Sequence, residues 1–150
     1  MLTIREAAPG DVEALHELYM RHLTQTPPGE MQDIIAWSAL LAELIADPGY
    51  HLLVGALDGR VVSSVTVIVI KNLTHSLRPY AVIENVVTHS DFRDRGFASA
   101  LMEAASAIAW DSGCYKIMLL TGSKKESTLR FYERCGFNRK DKTAFIKWLD

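Results

Sequence analysis

The stretch from Tyr80 to Leu120 constrains the fold more than any other part of this chain. Tyr80–His89 is rich in β-branched residues, Arg95–Ser112 has helical character, Gly113 supplies a stop, and Tyr115–Leu120 is β-rich again. Two strands joined through a helix pair in parallel, because a parallel pair needs a long crossover and cannot be closed by a tight turn.

The remaining elements fit around this unit. Leu2–Glu6 reads as a first strand, and Pro9-Gly10-Asp11 as a turn in which the Asp11 carboxylate is expected to accept the first free amides of a helix from Val12 to about Gln25. Val12, Leu15, Leu18, Tyr19 and Leu23 give that helix one apolar face, and Thr26-Pro27-Pro28-Gly29 breaks it. A second helix is expected over Met31–Ala46, apolar on two sides and stopped by Asp47-Pro48-Gly49. Tyr50–Leu57 and Arg60–Lys71 read as strands, and Asp58-Gly59 between them favours a tight hairpin. Asn72–Pro79 and Gly122–Lys125 read as loops, Glu126–Arg134 as a short helix closing at Gly136, and Phe137–Trp148 as a segment that contains the final pair of strands. The order implies one α+β domain over residues 1–150, layered α/β/α, with a mixed central sheet and helices on both faces.

Charge and composition narrow the function. A formal net charge of -2 denies the chain the broad positive surface that nucleic-acid binding relies on. The N-terminal segment lacks a basic stretch leading into an apolar region, and the Val61–Ile70 run is too short to span a bilayer, which together point to a soluble cytoplasmic protein. Cys114 and Cys135 fit no metal-ligand spacing and read as thiols, and the five histidines show no ligand pairing, so no metal is assigned.

The chemistry concentrates where the fourth strand passes through Arg93-Asp94-Arg95-Gly96-Phe97-Ala98 into a helix. The first amides of a helix lack intrahelical partners and carry the positive end of its dipole, so a pyrophosphate can take the place of the missing acceptors. Arg93 and Arg95 add charge, Gly96 offers an approach without a Cβ, and Ala98 keeps the first turn open. The chain has neither a P-loop nor a GxGxxG string, which leaves coenzyme A as the leading diphosphate ligand.

This segment resembles the acyl-CoA-binding motif of the GCN5-related N-acetyltransferase (GNAT) superfamily, a pattern of Arg or Gln, two residues, Gly, one residue, then Gly or Ala, here filled by Arg93, Gly96 and Ala98. Thr128–Phe137, with its aromatic pair Phe131-Tyr132, acidic Glu133 and Gly136-Phe137, resembles the family's later helix-to-strand segment. Ile83–Val87 and Gly113–Ile117 are similar to segments of glucosamine-6-phosphate N-acetyltransferases, but Leu119-Leu120-Thr121-Gly122 stands where those enzymes typically carry an Asp. The Asn common before the Tyr in the wider family also has no counterpart in Lys125–Thr128.

The resemblance implies a GNAT fold with a splayed parallel pair of fourth and fifth strands, and an acetyl-CoA-dependent N-acetyltransferase acting on a primary amine of a small molecule or peptide. It places Arg93, Asp94, Arg95, Gly96, Phe97 and Ala98 against the cofactor, with Val86 and Val87 as main-chain contacts to the acetyl and pantetheine groups. It makes Tyr132 the acid beside the sulfur; a phenol with a pKa near that of a thiol can protonate the departing thiolate. Glu84 is the candidate base, directly or through water, on the expectation that a carboxylate entering an apolar strand holds its proton more tightly. A structural Glu84 is the competing reading. Arg78 and His75 are candidates to meet an anionic acceptor, or are simply solvated, whereas Trp37 and Tyr19 read as core. The resemblance also implies a homodimer, through the final strands or the helical N-terminal half. The alternative function is an acetyl-CoA-binding or partner-regulating domain without turnover.

Overall fold

The computed structural model describes residues 1–150. Its centre is a five-stranded sheet in the order β1-β2-β3-β4-β5, with β1 Leu2–Glu6, β2 Tyr50–Leu57, β3 Arg60–Ile70, β4 Tyr80–Thr88 and β5 Ile117–Leu119. The first four strands are antiparallel neighbours, and β4 and β5 run parallel. Asp58 and Gly59 both take positive φ (50° and 82°), the geometry a two-residue hairpin needs for its twist to match that of the strands.

The helices are α1 (Val12–Glu17), which widens into a π-helical turn over Leu18–Leu23, then α2 (Ile34–Ala46), α3 (Phe97–Asp111) and α4 (Glu126–Arg134). α3 covers one face of the sheet, where Leu53, Val65, Val67, Ala81 and Ile83 meet Leu101, Met102, Ala105 and Ala109. Gly55 makes that contact close, since a Cβ there would lie 3.3 Å from Leu101 Cδ1 and 3.2 Å from Leu2 Cδ1. α1 and α2 cover the other face with Leu15, Leu18 and Leu41 against Leu52, Val54, Val61 and Val87. The three layers are those expected of the α+β sequence pattern, and α3 is the crossover that makes β4 and β5 parallel.

Four local expectations change. Asp11 does not cap α1: its carboxylate accepts the Ala8 amide (2.8 Å) and a bidentate pair from Arg5 (2.7 and 2.9 Å), tying β1 to the turn after it. The Arg5 hydrogen bonds hold the Asp11 carboxyl below its usual range. α2 begins at Ile34 rather than Met31, because Asp33 accepts the amides of Ile35 and Ala36 (both 3.3 Å) and so defines the start. α3 begins at Phe97, leaving Arg95 and Gly96 in the turn. The pair of strands expected within Phe137–Trp148 is absent; β5 is the last strand and residues 141–150 are exposed. An apolar, β-prone sequence becomes a strand only where it pairs with another, and this segment pairs with none of the five.

Candidate active site

β4 is paired with β5 only from Ala81 to Ile83, opposite Ile117 to Leu119, yet it continues to Thr88. β5 ends at Leu119, so beyond Ile83 this edge of β4 has no partner strand and a gap is left beside it.

The β4 side of the gap is irregular. Glu84 pairs with Thr66 and Val87 with Ser64, so Asn85 and Val86 together oppose Val65, and Asn85 sits at φ 52°. This bulge re-aims the strand. Past it, the Val87 carbonyl accepts the Ser63 hydroxyl (3.0 Å) and the His89 amide donates to the Val62 carbonyl (2.8 Å), both toward β3. The alternation of an antiparallel strand then turns the Val86 carbonyl and the Thr88 amide toward the gap. Of the two valines expected to offer main-chain groups, Val86 presents its carbonyl to the opening, whereas the Val87 carbonyl is committed to β3.

At the end of β4 the chain enters a turn with an unusual supply of free donors. No amide from Arg93 to Ser99 has a main-chain or side-chain acceptor in the protein; the first satisfied amide of α3 is that of Ala100, on the Gly96 carbonyl (3.1 Å). Asp94 (φ 60°) and Gly96 (φ 78°) both adopt left-handed backbone, the kind of conformation that folds successive N–H groups into a concave anion nest. A Cβ on Gly96 would meet nothing within 4 Å, so the residue is set by its backbone angle and by open space in front of it.

The arginines are held beside this nest. Arg93 Nε donates to the Thr88 carbonyl (3.2 Å), and the Arg95 guanidinium lies 5.1 Å from the Phe92 ring centre, with Arg60 at 5.2 Å from the same ring. From the π-helical turn after α1, His22 accepts the Ser90 amide through Nδ1 (3.3 Å) and its ring packs at a tilt against His89, 4.0 Å between ring centres. Burial, His89 and Arg93 keep the His22 imidazole below its ordinary pKa.

Tyr132 and Glu84 lie on opposite sides of the sheet. The Tyr132 ring packs beside Phe131 (5.1 Å) and Phe137 (6.5 Å) on the α3 face, and its half-burial raises the phenol pKa, so the proton is retained. Glu84 alternates with Ile83 and therefore faces the α1–α2 side, where it is exposed, with neither ion pair nor hydrogen bond. The enclosure expected of Glu84 is not observed. Near it, the Tyr19 and Thr66 hydroxyls are buried without a partner, and Thr66 is the residue directly across from Glu84.

The model of the Acetyltransferase (GNAT) family matches residues 12–137. The chain belongs to this family. It is similar to a glucosamine 6-phosphate N-acetyltransferase of Trypanosoma brucei brucei, 30% identical over 138 residues that cover 91% of this chain and 88% of the relative. Among solved structures it is similar to a putative acetyltransferase from Agrobacterium tumefaciens (TM-score 0.88, 38% identity, 97% and 99% of the two chains). It also shares its fold with glucosamine-6-phosphate N-acetyltransferase from Arabidopsis thaliana (TM-score 0.85, 21% identity, 100% and 99% covered).

Several features of this GNAT chain escape sequence reading. The Asn85 bulge interrupts a run of strand formers, and Asn, a residue that tolerates left-handed backbone, was its one signal. His22 and Arg60 reach the turn from distant parts of the chain, so spacing could not reveal them. Arg78 and His75, considered for an anionic acceptor, have structural partners instead. Arg78 donates to the Gly113 and Cys114 carbonyls (3.1 and 3.2 Å), and His75 stacks on Tyr115 at 3.8 Å. Trp37 and Tyr19 pack edge to face at 5.4 Å within the second core, as read.

Proposed function

We propose that this GNAT protein is an acetyl-CoA-dependent N-acetyltransferase that acylates a primary amine of a small molecule. The run of unpaired amides from Arg93 to Ser99, which itself contains two arginines, carries the reading. Seven consecutive N–H groups in a nest at a helix start suit a diphosphate, whose oxygens accept hydrogen bonds in number and carry the charge the helix dipole favours. Arg93, Asp94, Arg95, Gly96, Phe97 and Ala98 would hold that part of acetyl-CoA, and the rest of the molecule would extend along β4 past Val86.

The cofactor supplies an activated acyl thioester, and the chain supplies orientation and proton management. Tyr132, kept protonated by its apolar surroundings, donates a proton to the leaving sulfur. Glu84, open on the α1–α2 side, takes the proton of the incoming ammonium group directly or through water. On this reading the acid approaches from the α3 face and the base from the α1–α2 face, and the acyl group lies beside β4 between them. This arrangement favours an enzyme over a silent binding domain, since coenzyme binding alone has no use for a phenol there. We further read the protein as cytoplasmic, metal-free and homodimeric.

Calorimetry with acetyl-CoA and an assay of thiol release over a panel of amines, amino sugars and amino acids test the reading. Binding weakened at least about tenfold by Gly96→Val, with amine-dependent thiol release, is expected. Absence of binding heat overturns the assignment, and tight binding with no turnover on any amine favours the silent-domain alternative.

A further inference from the structure

Cationic side chains gather where β3 begins and β4 ends, and the protein supplies too few acceptors for them. The His89 ring accepts the Asp91 amide at Nδ1 (3.1 Å), while Arg60 Nη2 lies 3.2 Å from its Nε2. A neutral imidazole has one lone pair and one N–H, so it can accept from only one of these two donors. With Nδ1 taken by the amide, Nε2 carries the proton, and it faces the guanidinium donor to donor. An acceptor that reaches both groups removes the conflict. The chain provides none, since Arg60 forms no ion pair and makes no other hydrogen bond.

The surroundings fix this pair without neutralising it. His22 packs on the His89 ring with 4.0 Å between centres, and the Phe92 ring meets it edge to face at 5.5 Å. Phe92 also carries the Arg60 and Arg95 guanidiniums, 5.2 and 5.1 Å from its centre. Arg93 and Arg95 donate to carbonyls of the turn and pair with no carboxylate, whereas Arg5 pairs with Asp11 and Arg139 with Glu126 and Glu133. Like charges gathered in this way repel one another, a cost that an anion with several oxygens offsets. Beside Arg60 and His89 is a cavity of about 270 Å³ that Glu13 and Glu17 also line, yet neither carboxylate forms an ion pair with the guanidinium. The two acids border the site without filling it, and they hold an incoming anion at the Arg60–His89 rim.

We infer that Arg60 and His89 form a subsite for a phosphate monoester, separate from the amide nest that begins at Arg93. A monoester suits it because its terminal oxygens carry more charge than those of a diester link, and they accept from a planar guanidinium and an imidazole N–H at once. Two ligands of this site can bring such a group. One is the coenzyme, whose ribose bears a 3′-phosphate a few bonds from its diphosphate, and the nest beside His89 makes it the nearer source. The other is a phosphorylated acceptor. The first source rests on the coenzyme reading of the nest; the subsite itself does not, because inorganic phosphate probes it directly.

Nuclear magnetic resonance of the histidine rings during titration with inorganic phosphate tests the subsite, and calorimetry identifies the source. Phosphate should shift the His89 ring resonances in the unmodified chain and leave them in place in Arg60→Gln, a change at an exposed hairpin position that leaves both cores intact. Acetyl-CoA should bind at least about tenfold more tightly than acetyl-3′-dephospho-CoA, and Arg60→Gln should erase that preference while changing the affinity for the dephospho form by less than about threefold. If the preference that Arg60→Gln erases is instead one for a phosphorylated amine over the same amine without phosphate, the acceptor is the source. An equal loss for both members of each pair makes Arg60 a support of the turn alone and overturns the inference. So does a preference in neither pair, or a His89 ring that phosphate leaves unmoved. Acetyl-3′-dephospho-CoA keeps the diphosphate, so its binding reports on the nest by itself and separates failure of this subsite from failure of the coenzyme reading.

Discussion

Tyr132 shows how surroundings change the chemistry of a single residue. Alone, a tyrosine in a short helix is an amphipathic packing group; beside Phe131 and Phe137 it becomes a phenol whose proton is held more firmly than in water. Replacing it with Phe keeps the packing and removes the proton. Tyr132→Phe should lower kcat by about 10² to 10³ while leaving the KM for acetyl-CoA within about twofold, measured by thiol release at saturating amine. Because burial raises the phenol pKa, the alkaline limb of the parent kcat profile should lie above about pH 10 and be lost in the variant. Asp11 teaches the reverse lesson. Its position before a helix suggests a cap, but the carboxylate is taken by Arg5 and by the Ala8 amide behind it rather than by the amides of α1.

At the scale of elements, the turn between β4 and α3 is supported from outside itself. His22, on the π-helical end of α1, can accept the Ser90 amide only while its Nδ1 is unprotonated. Burial, His89 and Arg93 lower its pKa, and Glu17 and Asp91 oppose that shift without reversing it. A group with a depressed folded pKa contributes stability that is complete above its unfolded value, about 6.5, and is lost as pH falls toward the folded one. Thermal unfolding should therefore show Tm dropping as pH falls below about 6.5, and His22→Gln should flatten that drop. The same variant should weaken acetyl-CoA binding at about pH 7 by a few-fold, since one support of the turn is lost while the free amides remain.

For the whole molecule, the sheet separates two cores, and the one under α3 contains the paired stretch of β4 and β5. Leu101 is fully buried and lies against Gly55, joining α3 to β2 at the centre of that core. Leu101→Ala should destabilise the protein by about 2–5 kcal/mol in urea unfolding, a large share of the roughly 5–15 kcal/mol that holds a domain of this size folded. The same layer carries Tyr132 and the partly covered edge at β5. A loss there is therefore expected to reach the site as well as the fold.

What the sequence determined alone is whatever depends on neighbours in the chain. Strand and helix periodicity, the Asp58-Gly59 hairpin and the crossover between β4 and β5 are local or nearly so, and each appears close to where it was read. The RDRGFA turn was legible for the same reason, because free amides at a helix start are a property of consecutive residues. Tertiary structure decided what depends on distance and exposure: the support of that turn by His22 and Arg60, the Asn85 bulge opposite Val65, the exposure of Glu84, and the failure of the C-terminal segment to become a strand. Periodicity reports which face of an element is apolar. Whether another surface exists to cover that face is settled only by folding.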